Sequence, residues 1–325
     1  MRMNYLLADI GGTHARCALF DGEEISNIEV ISANDYSNGQ DLFLSYIAKH
    51  VRPEAKLSCM IAAAGRMDKD GIWRVGNNND WQISPDAMKG HGHEVENIIG
   101  DFVATSAGVV CLEDNECLVL HKGEKTDCTT KAICGPGTGI GLSYIINVDG
   151  KPHIHRTHGG HMGAVSQTAE QQAIILRLQQ INNADNVSFE DICSGRSLLN
   201  LYQATCDHLN AQPNLAIQKA EDILKNADDY EVKETLRLFH EFLGLFLQTI
   251  LTTGHAYGGI YLDGGVIQKL NAHNLLDTKS ILKYAHSCSN SIVEASLKSA
   301  PIYLINTPYI ALTGLKNIIK GDVSA

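Results

Sequence analysis

Three glycine-rich turns, each directly after a strand-like run, set the tightest limit on what this chain can fold into. Tyr5-Leu6-Leu7-Ala8-Asp9 runs into Ile10-Gly11-Gly12-Thr13. Residues 131–134 run into Gly135-Pro136-Gly137-Thr138-Gly139-Ile140-Gly141, and residues 259–262 into Asp263-Gly264-Gly265. Glycine lets a backbone come close to a ligand and turn its N–H groups toward it. Any one of these segments reads as an ordinary turn, but three in one chain favour phosphate binding. Two common phosphate motifs are missing. Gly137-Thr138-Gly139-Ile140-Gly141 lacks the GxGxxG spacing of a dinucleotide site, and no GxxxxGK[ST] loop occurs.

Strand-like and helix-like patterns alternate around these turns, so the fold class is α/β. Residues 5–9 and 14–20 flank Gly11-Gly12 as a hairpin. Helices are expected over 41–50, from Asp101 with Val103, Ala104, Ala107 and Val110 inward, and over 309–319. Strands are expected over 57–64, 117–121, 142–148 and 302–305. Ser166 or Thr168 caps a helix running through Leu178. Residues 189–282 read as mainly helical, interrupted at 258–266. The turns at Gly11 and Gly135 suggest two related lobes, which suits a chain of 325 residues.

Charge and cysteine content narrow the function classes. Twenty-six basic against 37 acidic residues give a net charge of −11, a poor match to nucleic acid. The apolar run 242–251 contains Gly244 and Gln248 and is too short for a bilayer, so it reads as a buried helix and no membrane role is expected. A strand pattern begins by Tyr5 with no cleavable signal, which points to the cytoplasm. The nine cysteines form no CxxC pair, and Cys17, Cys59, Cys134 and Cys193 sit among apolar or small residues. They read as buried thiols rather than a disulfide framework.

At the glycine turns, Gly11, Gly12, Gly135, Gly137 and Gly139 offer backbone amides, and Thr13 and Thr138 offer hydroxyls for phosphate oxygens. Gly264 and Gly265 would flank a nucleotide base. Asp9 could hold Mg2+ through water, since hard cations prefer oxygen.

Asp9-Ile10-Gly11-Gly12-Thr13-His14-Ala15-Arg16, Asp101-Phe102, the 135–141 turn, Gly159-Gly160-His161, Glu190 with Ser194-Gly195, and residues 262–266 follow one another here. In that order and over about residues 5 to 318, the chain resembles the bacterial glucokinases. The resemblance implies a two-lobed actin-like ATPase (ribonuclease H-like) fold with ATP and sugar in the cleft between lobes. The small lobe would comprise 1–112 plus 303–325, and the large lobe 113–302. The implied reaction is ATP-dependent phosphorylation of a hexose at its 6-hydroxyl, glucose first, by a homodimer.

Carried over residue by residue, Asp101 is the general base that takes the hydroxyl proton as the oxygen attacks the γ-phosphate. Read on its own, the same aspartate is a helix N-cap. Asn78 would contact the sugar, although Asn77-Asn78-Asn79-Asp80 is also turn-rich. His161 and Glu190 would meet the sugar near C1 and C2. Without that context His161 reads as structural and Glu190 as a surface charge.

Three positions depart from the family pattern: Gly100 stands for asparagine, His158 for glutamate and His14 for asparagine. His158 matters most at the sugar. A carboxylate accepts from two hydroxyls, whereas a neutral imidazole accepts one bond and donates one. Losing a hydrogen bond to a charged group costs about 1.5–3 kcal/mol, roughly tenfold to a hundredfold in affinity. Weaker glucose phosphorylation, preference for another hexose or sugar derivative, a catalytically weak sensor and a different phosphotransferase all follow as alternatives. His153, His155, His158 and His161 also raise a zinc site as a minor reading.

Overall fold

The computed structural model describes residues 4–76, 81–124 and 126–324. The chain divides into two compact units, one of Met1–Asp114, Asn147–Arg156 and Thr307–Ala325, the other of Asn115–Ile146 and Thr157–Asn306.

The first unit is built on β1 (Tyr5–Ile10), whose six residues are all buried. It pairs antiparallel with β2 (His14–Phe20), which pairs with β3 (Ile25–Ser32). On its other side it runs parallel to β4 (Ser58–Ala63). β5 (Gly65–Met67), β6 (Trp73–Val75) and β7 (Gln82–Ile83) make a separate small antiparallel sheet, and β8 (Glu94–Ile99) completes the order β3-β2-β1-β4-β8. Alternate residues of a strand face opposite ways. Leu6, Ala8 and Ile10 accordingly join Leu42, Phe43, Tyr46 and Ile47 of helix Gly39–His50 in one core. Tyr5 and Leu7 join Leu312 and Leu315 of helix Ile310–Lys320 in another. Cover on both faces is why β1 is apolar at every position but Asp9.

Helix Ile310–Lys320 also crosses helix Asp101–Val109 at very close range. A Cβ on Gly314 would lie 1.7 Å from the Ala104 carbonyl oxygen, and one on Gly108 would lie 2.4 Å from that of Ile310. Asn317 Nδ2 donates to the Ala107 carbonyl at 3.0 Å inside this crossing.

In the second unit β10 (Lys131–Pro136) pairs antiparallel with β11 (Ile140–Val148) and parallel with β13 (Ile260–Leu262). β13 runs parallel to β14 (Ile302–Ile305), which β9 (Cys117–His121) meets antiparallel. β12 (Lys151–Arg156) follows β11 through a turn with positive φ at Asp149 and Gly150, and its residues count with the first unit. The main core gathers on the 25-residue helix Tyr230–Gly254, which buries Phe239, Phe242 and Phe246. The apolar run at 242–251 is thus the middle of a core helix. Among the described residues no helix is long and apolar enough to cross a membrane. Of the two candidate caps for helix Ala169–Asn182, Thr168 is the one used, in a capping box with Gln171.

Cys17, Cys59, Cys134 and Cys193 are fully buried, and all nine cysteines are free thiols. Burial pushes the Cys59 thiol up to about 12.

Candidate active site

In the first unit the Gly11-Gly12 turn closes with the Gly11 N–H donating to the His14 carbonyl at 2.9 Å. Ala33 N–H donates to the Thr13 carbonyl at 2.9 Å and fixes the turn to the end of β3. Gly12, Thr13 and His14 are exposed, so the top of the turn is open to a ligand. Asp9 and Arg16 face each other across the hairpin, and Arg16 Nη1 donates to Asp9 Oδ2 at 2.8 Å. Asp9 is only 8% exposed, and its charge adds to burial in pushing the Cys17 thiol up. A buried carboxylate already facing a guanidinium suits magnesium through water better than direct coordination.

Asp101 follows β8 and opens its helix, half-buried, with Oδ1 accepting from the Phe102 N–H at 2.9 Å. The cap position is filled by Gly100 with φ −63° and ψ 144°, so Asp101 is the first helical residue and the N-cap reading is corrected. Nothing in that backbone requires glycine at 100. A Cβ there would meet its nearest neighbour, Val103 Cγ2, at an ordinary 3.7 Å. Val103, Ala104 and Ala107 face the interior as expected, while Val110 falls just past the helix end. Asn78 lies outside the described residues.

In the second unit the five glycines assigned to nucleotide binding separate into two kinds. A Cβ on Gly135 would sit 1.6 Å from the Asp263 carbonyl oxygen, and one on Gly264, at φ +129°, 2.5 Å from that of Pro136. These two are glycine because the ends of β10 and β13 touch, with Asp263 N–H donating to the Cys134 carbonyl at 3.0 Å. A Cβ on Gly139 would lie 2.4 Å from Glu190 Oε2. Gly137 meets nothing closer than 3.9 Å and Gly265 nothing within 4 Å, so neither is explained by a neighbour in the protein. Thr138 and Gly265 are exposed, the latter opening helix Gly265–Ala272.

Glu190 is 8% exposed, not the surface charge that its sequence position alone suggests. Its Oε2 accepts from the Ile140 N–H at 2.8 Å, and Arg196 Nη2 donates to its Oε1. His161 Nδ1 stands 3.9 Å from the same Oε1. The short helical turn Gly159–His161 lies directly on β11, because a Cβ on Gly159 would meet Leu142 at 2.2 Å and one on Gly160 the Ile140 carbonyl oxygen at 2.1 Å. That packing sets the exposed His158 and His161 rings 6.3 Å apart beside the glycine turn. The second unit therefore gathers Gly137–Ile140, His158, His161 and Glu190. Arg196 joins them unannounced, and its only sequence signal is a place six residues after Glu190 beside the noted Ser194-Gly195.

The four histidines do not make a zinc centre. Among the described residues no group of three or more His, Cys, Asp or Glu side chains is placed to hold a metal ion.

Known proteins share this architecture. The glucokinase of Hahella chejuensis is 30% identical over 98% of this chain and 97% of its own. A glucokinase from an Antarctic psychrotroph superposes with a TM-score of 0.76 at 22% identity, covering 98% and 99% of the two chains. The Balamuthia mandrillaris glucokinase, solved in complex with glucose, gives 0.78 at 19% identity over 98% and 93%. These two likenesses speak for the fold, the actin-like ATPase fold that the sequence resemblance implied. A family model described as Glucokinase matches residues 6–321, from the first strand through the last helix. With agreement of that extent, the chain belongs to the glucokinase family.

Proposed function

We propose that this protein transfers the γ-phosphoryl group of ATP to the 6-hydroxyl of a hexose, with glucose the first choice. The observation that carries the reading is the match to the glucokinase family over residues 6–321 with Asp101 and the glycine turns in place. Asp101 takes the proton of the 6-hydroxyl while that oxygen bonds to the γ-phosphorus, and the bridging bond to the β-phosphate breaks to release ADP. Gly11, Gly12 and Thr13, with Gly137, Thr138 and Gly139, hold the phosphates through backbone amides and hydroxyls, and Gly265 stands at the nucleotide. Gly135 and Gly264 serve by letting the two turns meet. Mg2+ would arrive on the phosphates, with Asp9 engaging it through water, and would neutralise charge on the transferring group. Asn78, His158, His161 and Glu190 hold the sugar. We read the protein as a cytoplasmic homodimer on the family resemblance, and gel filtration with light scattering tests the dimer.

A second reading, a kinase for a different hexose, is favoured by two positions. The exposed His158 can accept only one sugar hydroxyl, and Gly100 offers no amide. Sugar-stimulated ADP release across glucose, mannose, fructose, amino and N-acetyl sugars and sugar acids separates the two. Glucose is expected to lead, and Asp101→Ala to abolish the signal. If no hexose stimulates ADP release, the kinase reading fails; tight sugar binding by calorimetry without turnover would make the protein a sensor.

A further inference from the structure

Glu190 has two oxygens, and each is committed to a different part of the second unit. Oε2 takes the Ile140 N–H at 2.8 Å, which fixes the carboxylate to the far end of the glycine turn. Oε1 takes a donor from Arg196 Nη2. His161 stands near the same oxygen, but 3.9 Å is too long for a hydrogen bond, so Arg196 is what orients this side of the carboxylate.

Arg196 is itself anchored to the other end of that turn. Gly195 N–H donates to the Gly137 carbonyl at 2.8 Å, and a Cβ on Gly195 would already stand 3.0 Å from that oxygen. The connections form a closed ring through Gly137, Gly195, Arg196, Glu190 and Ile140. Residues assigned to the nucleotide and a residue assigned to the sugar lie on the same ring. A guanidinium suits the task because it is planar, permanently charged and pre-organised for a carboxylate. The Arg196 side chain is 43% exposed, so the pair lies where a ligand can reach it.

We propose that Arg196 is a positioning residue for the phosphoryl transfer. It holds Glu190 in the orientation that receives the sugar and ties that orientation to the phosphate turn. The inference rests on the kinase reading, through the sugar role of Glu190. It also extends that reading, because it makes sugar and nucleotide binding depend on one side chain that touches neither in the scheme above.

The test is a set of three variants, R196A, R196K and E190Q, with the double variant R196A/E190Q. Each is measured for sugar KM, ATP KM and kcat, for glucose binding by calorimetry, and for Tm. R196A should raise the sugar KM about tenfold or more and the ATP KM in the same direction, with a smaller change in kcat. R196K, which keeps the charge but loses the fork, should recover part of the sugar KM. The double variant should be no worse than the worse single variant, because residues acting through one contact are not additive. A lowered Tm with both KM values within twofold of the parent would make Arg196 merely structural and overturn the proposal. So would R196A and E190Q effects that simply multiply. If R196A fails to fold, R196K against E190Q carries the same comparison. A parent protein that neither binds nor phosphorylates any sugar overturns the kinase reading, and this inference with it. A parent that turns over while R196A matches it overturns this inference alone.

Discussion

Gly137 and Gly139 stand two residues apart and answer to different demands. A methyl group at 139 would collide with the Glu190 carboxylate, whereas one at 137 meets nothing closer than 3.9 Å. Gly139→Ala should therefore raise the sugar KM by displacing Glu190. Gly137→Ala should leave Tm nearly unchanged and raise the ATP KM about tenfold, because only a ligand approaching the backbone would feel it. An ATP KM unmoved by Gly137→Ala would remove this turn from the phosphate site. Gly100 offers the converse experiment. Its backbone is open to any residue and its surroundings admit a Cβ, so Gly100→Asn should fold. It should add a few tenths of a kcal/mol through a better cap and lower the glucose KM. Kinetics and thermal melts on these three variants check all of this. At this scale the sequence displayed the residue types but not what fills the space around them. Gly135, Gly137 and Gly264 look alike as letters. Only folding shows that two of them answer to an oxygen across the turn. Glu190 reads as a surface charge in the sequence because its partners, the buried Ile140 and the exposed Arg196, are set by the folded contacts.

The crossing of helices Asp101–Val109 and Ile310–Lys320 is the element that fixes the proposed base. Gly314 and Gly108 let the two backbones touch, and Asn317 satisfies a carbonyl within the contact. Gly314→Ala leaves no room for its methyl without moving the helix that begins at Asp101. We expect a loss of about 1–3 kcal/mol or more, read by thermal or urea denaturation, with kcat falling alongside. A Gly314→Ala protein with unchanged Tm and kcat would mean the crossing does not hold Asp101 in place. Both helices were legible from their apolar periodicity, as were the hairpin and the strands before each glycine turn, since these patterns are local. Their partnership was not legible from any local pattern, because it joins residues more than 200 positions apart, as the bond from Asn317 to Ala107 does, and only the resemblance put the two segments in one lobe. The small β5-β6-β7 sheet also went unread, since strands of two or three residues carry too little alternation to register.

Across the molecule, acid should act through two buried histidines. Burial pushes His240 down to about 4, and burial with His121 and Lys298 nearby pushes His286 down to about 4. Both are neutral in the folded chain at pH 6, while in the unfolded chain they take up protons near about pH 6.5. The unfolded state thus binds more protons in that window. Stability is full above about pH 6.5 and is lost as pH falls toward about 4. Tm should decline between pH 7 and pH 5, and less steeply in His240→Gln, as differential scanning fluorimetry would show. Equal slopes for parent and variant would clear His240 of the effect. The division of the chain came from the family resemblance rather than from any local pattern. Nothing in the apolar pattern of β11 marks the point near residue 146 where membership passes to the first unit.

The first unit also has a consequence for how the protein is made. Leu312 and Leu315 complete the core under β1, so the face of the sheet formed by Tyr5, Leu7, Ala18 and Phe20, which Ala104 also joins, lacks its full cover until those residues exist. A chain emerging from the ribosome begins this unit before the other and completes it after, with the whole of the other unit synthesised in between. The half-built sheet must wait incompletely covered for some 200 residues of translation, and that interval is where a chaperone would find its target.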